Sequence, residues 1–117
     1  EVVNINGHPE PYPYKWLLQA KEKLKSLLKK DELVFVVYVP EPNHSLVYLR
    51  QNGATFNAEE MSRDNSPFNY YLETLGAKYV MCKTEVIDQF KKDQPDFIKQ
   101  SIIKFQDKDL ALYYYEK

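Results

Sequence analysis

The chain has 117 residues, 16 basic and 17 acidic side chains, a formal net charge of −1 and 44% hydrophobic residues. That length suits one domain with a core of its own, and the near balance of charge, spread along the chain without a basic block, gives no electrostatic basis for a nucleic-acid partner. Its single cysteine excludes an internal disulfide and a cysteine-based metal site, and no apolar run approaches the roughly 20 residues that a membrane span requires.

Residues 1–13 carry Pro9, Pro11 and Pro13 and read as an extended lead-in or linker, because proline fixes φ and biases its predecessor away from helix. Residues 14–117 then read as one α/β domain. The chain begins with Glu1 rather than Met, which suggests a piece cut or processed from a longer protein, and no signal peptide opens it.

Over residues 14–30, Leu17, Ala20, Leu24, Leu27 and Leu28 form one apolar helical stripe, with Lys29 and Lys30 placed to favour the negative end of the helix dipole. Leu33-Val-Phe-Val-Val-Tyr-Val39 is the strongest strand signal, and its unbroken apolar character predicts burial on both faces. Pro40 and Pro42 end it. Residues 45–52 read as a short helix stopped by Gly53, with a strand over Leu46-Val-Tyr-Leu49 as the alternative; a short strand over residues 54–57 and a polar loop over 58–65 follow.

Ser66-Pro-Phe-Asn-Tyr-Tyr-Leu-Glu-Thr-Leu-Gly-Ala-Lys-Tyr-Val-Met-Cys82 predicts a complete helix-to-strand unit. Ser66 caps, Pro67 suits the first turn, Phe68, Tyr71, Leu72 and Leu75 recur at helical spacing, Gly76 stops the helix, and residues 77–82 form a strand. Thr84 is placed to cap a helix reaching about residue 92, with Val86, Ile87 and Phe90 inward, and a further helical turn covers residues 96–100. Two strands, 101–105 and 110–115, flank a loop over 106–109 and predict a hairpin. The alternation predicts a single three-layer or two-layer α/β domain, its sheet mostly parallel with a C-terminal antiparallel hairpin.

The residues that could carry chemistry are few. His8 and His44 lack a second ligand-type residue at metal spacing, Gly-x-Ser-x-Gly is absent, and Gly7, Gly53 and Gly76 make no phosphate-binding pattern. Cys82 ends an apolar strand and reads as a buried, inert thiol. Glu59 and Glu60 read as solvated. Neither a catalytic residue nor a metal or cofactor site is assigned.

The candidate contact residues are Asn43, His44 and Ser45, Tyr70, and Thr84. His44 lies just beyond the carboxyl end of the first strand, where open α/β sheets bind ligands, and Asn43-His44-Ser45 also fits the N-glycosylation acceptor pattern. The ten tyrosines are the compositional oddity. Clustered tyrosine can stack on sugars or fill an interface, but Tyr113-Tyr-Tyr115 must divide between two strand faces, and Tyr70 and Tyr71 point differently on a helix.

Four stretches carry a resemblance: Leu24-Lys-Ser-Leu-Leu-Lys-Lys-Asp-Glu-Leu-Val-Phe-Val-Val-Tyr38, Tyr48-Leu-Arg-Gln-Asn-Gly53, Leu72-Glu-Thr-Leu-Gly-Ala-Lys-Tyr-Val-Met81 and Leu110-Ala-Leu-Tyr-Tyr-Tyr-Glu116. Over about residues 14–116 the chain resembles the extracytoplasmic C-terminal domain of multi-spanning bacterial membrane glycosyltransferases of the dolichyl-phosphate-mannose protein mannosyltransferase-like and aminoarabinose-transferase-like group. The resemblance implies a non-catalytic accessory domain that follows the last membrane span and faces the periplasm. Its partners would be the membrane-embedded portion of the parent protein and a glycan or lipid-linked sugar, the donor being a polyprenyl-phosphate sugar. The family's catalytic acid lies in a loop between early membrane helices, so no catalytic residue carries over. The alternative is a free-standing ligand- or protein-binding module using the loops after Val39, Asn57 and Cys82.

Overall fold

A computed structural model describes residues 15–29, 32–39 and 52–116. The predicted lead-in, Asn43, His44 and Ser45, and nearly all of the segment 45–52 lie outside them. In chain order the elements are α1 (Lys15–Leu24), β1 (Leu33–Val37), β2 (Asn52–Phe56), α2 (Ala58–Ser62), α3 (Pro67–Leu75), β3 (Tyr79–Lys83), a 3-10 turn (Thr84–Val86), α4 (Ile87–Asp93), α5 (Pro95–Lys99), β4 (Ser101–Gln106) and β5 (Leu110–Tyr115). The five strands form one sheet in the order β2-β1-β3-β5-β4.

Period-two alternation divides the central strands between two cores. Phe35 and Val37 of β1, Val80 and Cys82 of β3, and Ala111, Tyr113 and Tyr115 of β5 meet Met61 of α2, Phe68 and Leu72 of α3, Ile87 and Phe90 of α4, and Phe97 of α5. On the opposite face Val34, Val36, Met81, Leu110 and Leu112 meet Ala20 and Leu24 of α1. Helices therefore cover both faces, and the arrangement is the three-layer one.

The sheet is mixed, which corrects the expectation of a mostly parallel one. β1 pairs parallel with β2 and with β3, whereas β5 pairs antiparallel with both β3 and β4. Burial decides the placement. β5 is apolar on both faces and takes an interior position, while β4, exposed at Ile102, Ile103 and Lys104, is left at the rim. The returning hairpin strand thus inserts between β3 and β4 instead of adding at the edge.

Gly53, expected as a helix stop, is a strand residue. It lies inside β2 opposite Val34, at φ 155°, and a Cβ added there would stand 1.9 Å from the Val34 carbonyl oxygen. Residues 58–65 are not a polar loop throughout, because Asn57 starts α2 with a reciprocal cap: Glu60 N–H donates to Asn57 Oδ1 at 2.8 Å, and Asn57 N–H donates to Glu60 Oε1 at 2.9 Å. One of the two adjacent carboxylates read as merely solvated is therefore a capping group.

The Ser66–Cys82 unit forms as expected at its ends. Ser66 Oγ accepts from Phe68 N–H at 3.2 Å and donates to the Glu60 carbonyl at 2.6 Å, and Gly76 closes α3 in the left-handed region at φ 67°. The predicted apolar stripe is only half used. Phe68 and Leu72 are buried, but Tyr71 and Leu75 are 42% and 46% exposed.

Candidate functional site at the carboxyl ends of the parallel strands

β1 stands between β2 and β3 and is parallel to both; the chain after β1 returns as β2 on one side, whereas the chain after β3 goes on to β4 and β5 on the other. In open α/β sheets the carboxyl ends at such a divergence form the usual ligand crevice, because neighbouring connections part there. The register Val36↔Met81 and Val37↔Phe56 brings the ends of β1, β2 and β3 side by side.

Tyr38 follows β1 directly, with a backbone φ of 62°. A bulky residue in the left-handed region is a true outlier, and such conformations persist where the surroundings hold them. Two contacts do so here. The Tyr38 hydroxyl donates to Asp93 Oδ2 at 2.6 Å, and its ring meets the edge of Phe90 with centroids 5.9 Å apart. The next residue, Val39, donates its N–H to the Phe56 carbonyl at 3.2 Å, which ties the chain back to β2. Burial, then the Asp93 carboxylate, raises the Tyr38 pKa far above that of a free phenol, so the hydroxyl keeps its proton as a donor. Asp93 also accepts from Gln89 Nε2 at 2.9 Å.

Aromatic rings continue from this point across the end of β2. Phe56 packs against Tyr71 at 6.3 Å, and Tyr71 meets Tyr70 edge-on at 5.1 Å. Tyr70, predicted as a contact residue, is 63% exposed and so presents its ring to solvent. Adjacent helical positions diverge, yet both rings of this pair are open, because α3 buries its other side against the core.

Thr84 has a different part from the one expected. The turn that it opens has no side-chain cap, and Thr84 Oγ1 instead donates to the Asp107 carbonyl at 2.7 Å while its N–H donates to the Asp109 carbonyl at 3.0 Å. Both polar groups hold the β4–β5 hairpin loop against the end of β3. A threonine at a strand end next to a folded-back loop finds carbonyls before it finds its own helix, so it acts as a clamp. The following α-helix starts only at Ile87.

The hairpin loop is fastened a second time from the other face. Lys23 of α1 reaches Asp107 Oδ2 at 2.5 Å and Asp109 Oδ2 at 3.3 Å. The hydrogen bond from Lys23, with backbone donors from Asp109 and Leu110, holds the Asp107 carboxyl at about 2.

Cys82 is buried, and desolvation pushes its thiol up to about 12, so it stays neutral and unreactive at physiological pH. Near it, the Tyr113 hydroxyl is buried with no hydrogen-bond partner, and burial raises its pKa to about 12. Among the described residues no group of three or more His, Cys, Asp or Glu side chains converges to hold a metal ion. None of the described helices is long and apolar enough to cross a membrane.

The structure thus places Tyr70 and Thr84 at the same end of the sheet but gives them unlike parts, one open to solvent and one clamping a loop. Tyr38 and Asp93 escaped the sequence reading. A tyrosine closing an apolar strand before Val39-Pro40 was a visible signal, but its left-handed backbone was not, because glycine and asparagine are the residues that announce that conformation. Comparison with family models, curated proteins and solved structures finds no match for this chain.

Proposed function

We propose that this α/β domain is a non-catalytic accessory domain of a membrane glycosyltransferase that uses a polyprenyl-phosphate sugar donor, helping to shape the acceptor side of an active site built in the membrane on the periplasmic face. The observation that carries the reading is the placement of the four stretches of resemblance. Their described parts supply β1, Gly53 of β2, β3 and β5, which are contiguous in the sheet, so the likeness falls on one structural unit. The open Tyr70–Tyr71 pair is suited to a sugar ring, whose apolar C–H face stacks on aromatic side chains.

Reading the coding sequence around this segment tests the proposal directly: about a dozen apolar spans of some 20 residues should precede Glu1, and their absence overturns it. In the full-length enzyme, removing the domain should lower transfer to the acceptor and leave donor binding in place. Unchanged transfer would also refute the role.

One observation favours a second reading, a free-standing ligand- or protein-binding module. Tyr38 holds an unusual backbone conformation at the divergence of the parallel strands, where its hydroxyl is fixed on Asp93. Titration with monosaccharides and short peptides, followed by amide shifts, should then perturb Tyr38, Thr84 and Asp93. Shifts confined to other regions would count against this reading.

A further inference from the structure

The dipeptide Asn-Gly occurs at Asn6–Gly7, outside the described residues, and at Asn52–Gly53, the first two positions of β2. Glycine after asparagine leaves the next backbone nitrogen unshielded by a side chain, and that nitrogen can close on the asparagine carboxamide. Once it has lost its proton, the Gly53 nitrogen bonds to Asn52 Cγ and the carboxamide nitrogen leaves as ammonia, which forms a five-membered succinimide. Water then opens the ring. Attack at Cγ gives aspartate, whereas attack at the main-chain carbonyl gives isoaspartate, whose backbone runs through the former side chain and is one methylene longer. The sum is asparagine and water to an acidic residue and ammonia.

Packing fixes the glycine. A Cβ added at Gly53 would stand 1.9 Å from the Val34 carbonyl oxygen, so the close pairing of β2 with β1 admits no side chain that would shield the nitrogen. The same pairing restrains the reaction. Ring closure needs the Asn52 backbone to turn until Cγ meets the next nitrogen, whereas the register Leu33↔Asn52 and Val34↔Gly53 holds both residues extended in the parallel ladder.

β2 stands at one end of the strand order, and among the described strands β1 is its one partner. Such a strand can open locally at less than the free energy of global unfolding. β2 also carries Phe56, whose carbonyl receives Val39 N–H at the carboxyl ends of the strands, so a weaker β2 loosens that end of the sheet. We infer that Asn52–Gly53 is a self-modification site gated by the β1–β2 ladder: it reacts when β2 opens, and the isoaspartate formed breaks the first pair of the ladder and leaves β2 permanently looser.

The test holds the intact protein at one slightly alkaline pH and one temperature, in buffer and in urea beyond its unfolding midpoint. Peptide mapping with isoaspartate-specific methylation follows residue 52 separately from residue 6. Conversion at Asn52 should be about tenfold or more slower in buffer than in urea, and urea too dilute to unfold the protein should speed it in step with hydrogen exchange of the β2 amides. The isoaspartate form, separated by chromatography, should exchange those amides about tenfold faster than the unmodified protein. Asn52→Asp, which gains the acid but keeps the ordinary backbone, should not. Five results would overturn the inference: equal conversion in buffer and urea, no conversion in urea, conversion that rises only across the global transition, unchanged β2 exchange in the isoaspartate form, or the same faster exchange in Asn52→Asp.

Discussion

Two glycines take backbone conformations that side chains rarely adopt, yet they differ in what surrounds them. At Gly76 the conformation is left-handed and an added Cβ meets nothing within 4 Å. Gly76→Ala should therefore lose only the conformational preference, about 1 kcal/mol. At Gly53 the added Cβ would lie 1.9 Å from a carbonyl oxygen of β1, an atom fixed by the ladder between the two parallel strands. Gly53→Ala must part that ladder or distort β2, and the expected loss is about 3 kcal/mol or more. Urea unfolding of the two variants measures the contrast, and equal midpoints would show that β2 yields freely. Nothing in the sequence separates these glycines. Each follows an apolar segment and each reads as a helix stop, because close approach to a neighbouring strand is a property of pairing and is invisible in local spacing.

At the scale of elements, the helices over one face are joined by a few buried polar groups. Ser66 is almost wholly buried, accepts from the first turn of α3 and donates to the Glu60 carbonyl of α2, so one hydroxyl ties the two helices together. Gln94, at the junction of α4 and α5, ties that junction to α2, its Nε2 donating to the Met61 carbonyl at 2.8 Å. Ser66→Ala removes a cap and leaves the Glu60 carbonyl unpaired, so it should cost about 1–2 kcal/mol, above an ordinary exposed cap. Thermal unfolding reads that loss, and a change within a few tenths of a kcal/mol would mean that solvent replaces the hydroxyl. The Ser66–Gly76 helix was legible because its start, face and stop are local signals. The Asn57–Glu60 capping box was equally local, but the polar composition of residues 58–65 obscured it. The order of the strands was not legible. It follows from β5 being apolar on both faces, which the residues show, and from an interior place between β3 and β4, which only the assembled sheet reveals. At the site, Tyr70 on α3 and Thr84 after β3 lie where local spacing marks them, whereas the Tyr38–Asp93 pair, 55 positions apart in the chain, depends on α4 lying across the end of β1.

Across the whole molecule, one ion pair links the two sides of the sheet through its hairpin. Lys23 belongs to α1, the only described helix on its face, and it holds Asp107 and Asp109 at the turn between β4 and β5, the same loop that Thr84 grips from β3. The Asp107 carboxyl has two separable tasks. Oδ1 accepts from Asp109 and Leu110 N–H at 2.8 and 3.0 Å and so shapes the turn, while Oδ2 takes the lysine. Asparagine can keep the first task and lose the second, so Asp107→Asn isolates the ionic link. Because the folded carboxyl sits at about 2 against an ordinary 3.8, its stabilisation is fully present above pH 4 and disappears as the pH falls from about 4 to about 2. The same pair raises the Lys23 pKa above 10.5, so the lysine's share persists through neutral pH and is lost only as the pH rises through that raised value. The expected result is a wild-type Tm that drops between pH 4 and pH 2 more steeply than that of Asp107→Asn, the two curves converging at the acid end. Lys23→Gln should flatten the same interval, and the double variant should add nothing further if the link is one interaction. Parallel acid profiles in wild type and Asp107→Asn would assign the acid sensitivity to other carboxylates. In that event α1 would be held to the sheet by its apolar contacts, Ala20 and Leu24 against Val34, Val36, Met81 and Leu112, and Thr84 would be the side chain that ties the hairpin loop to the end of β3.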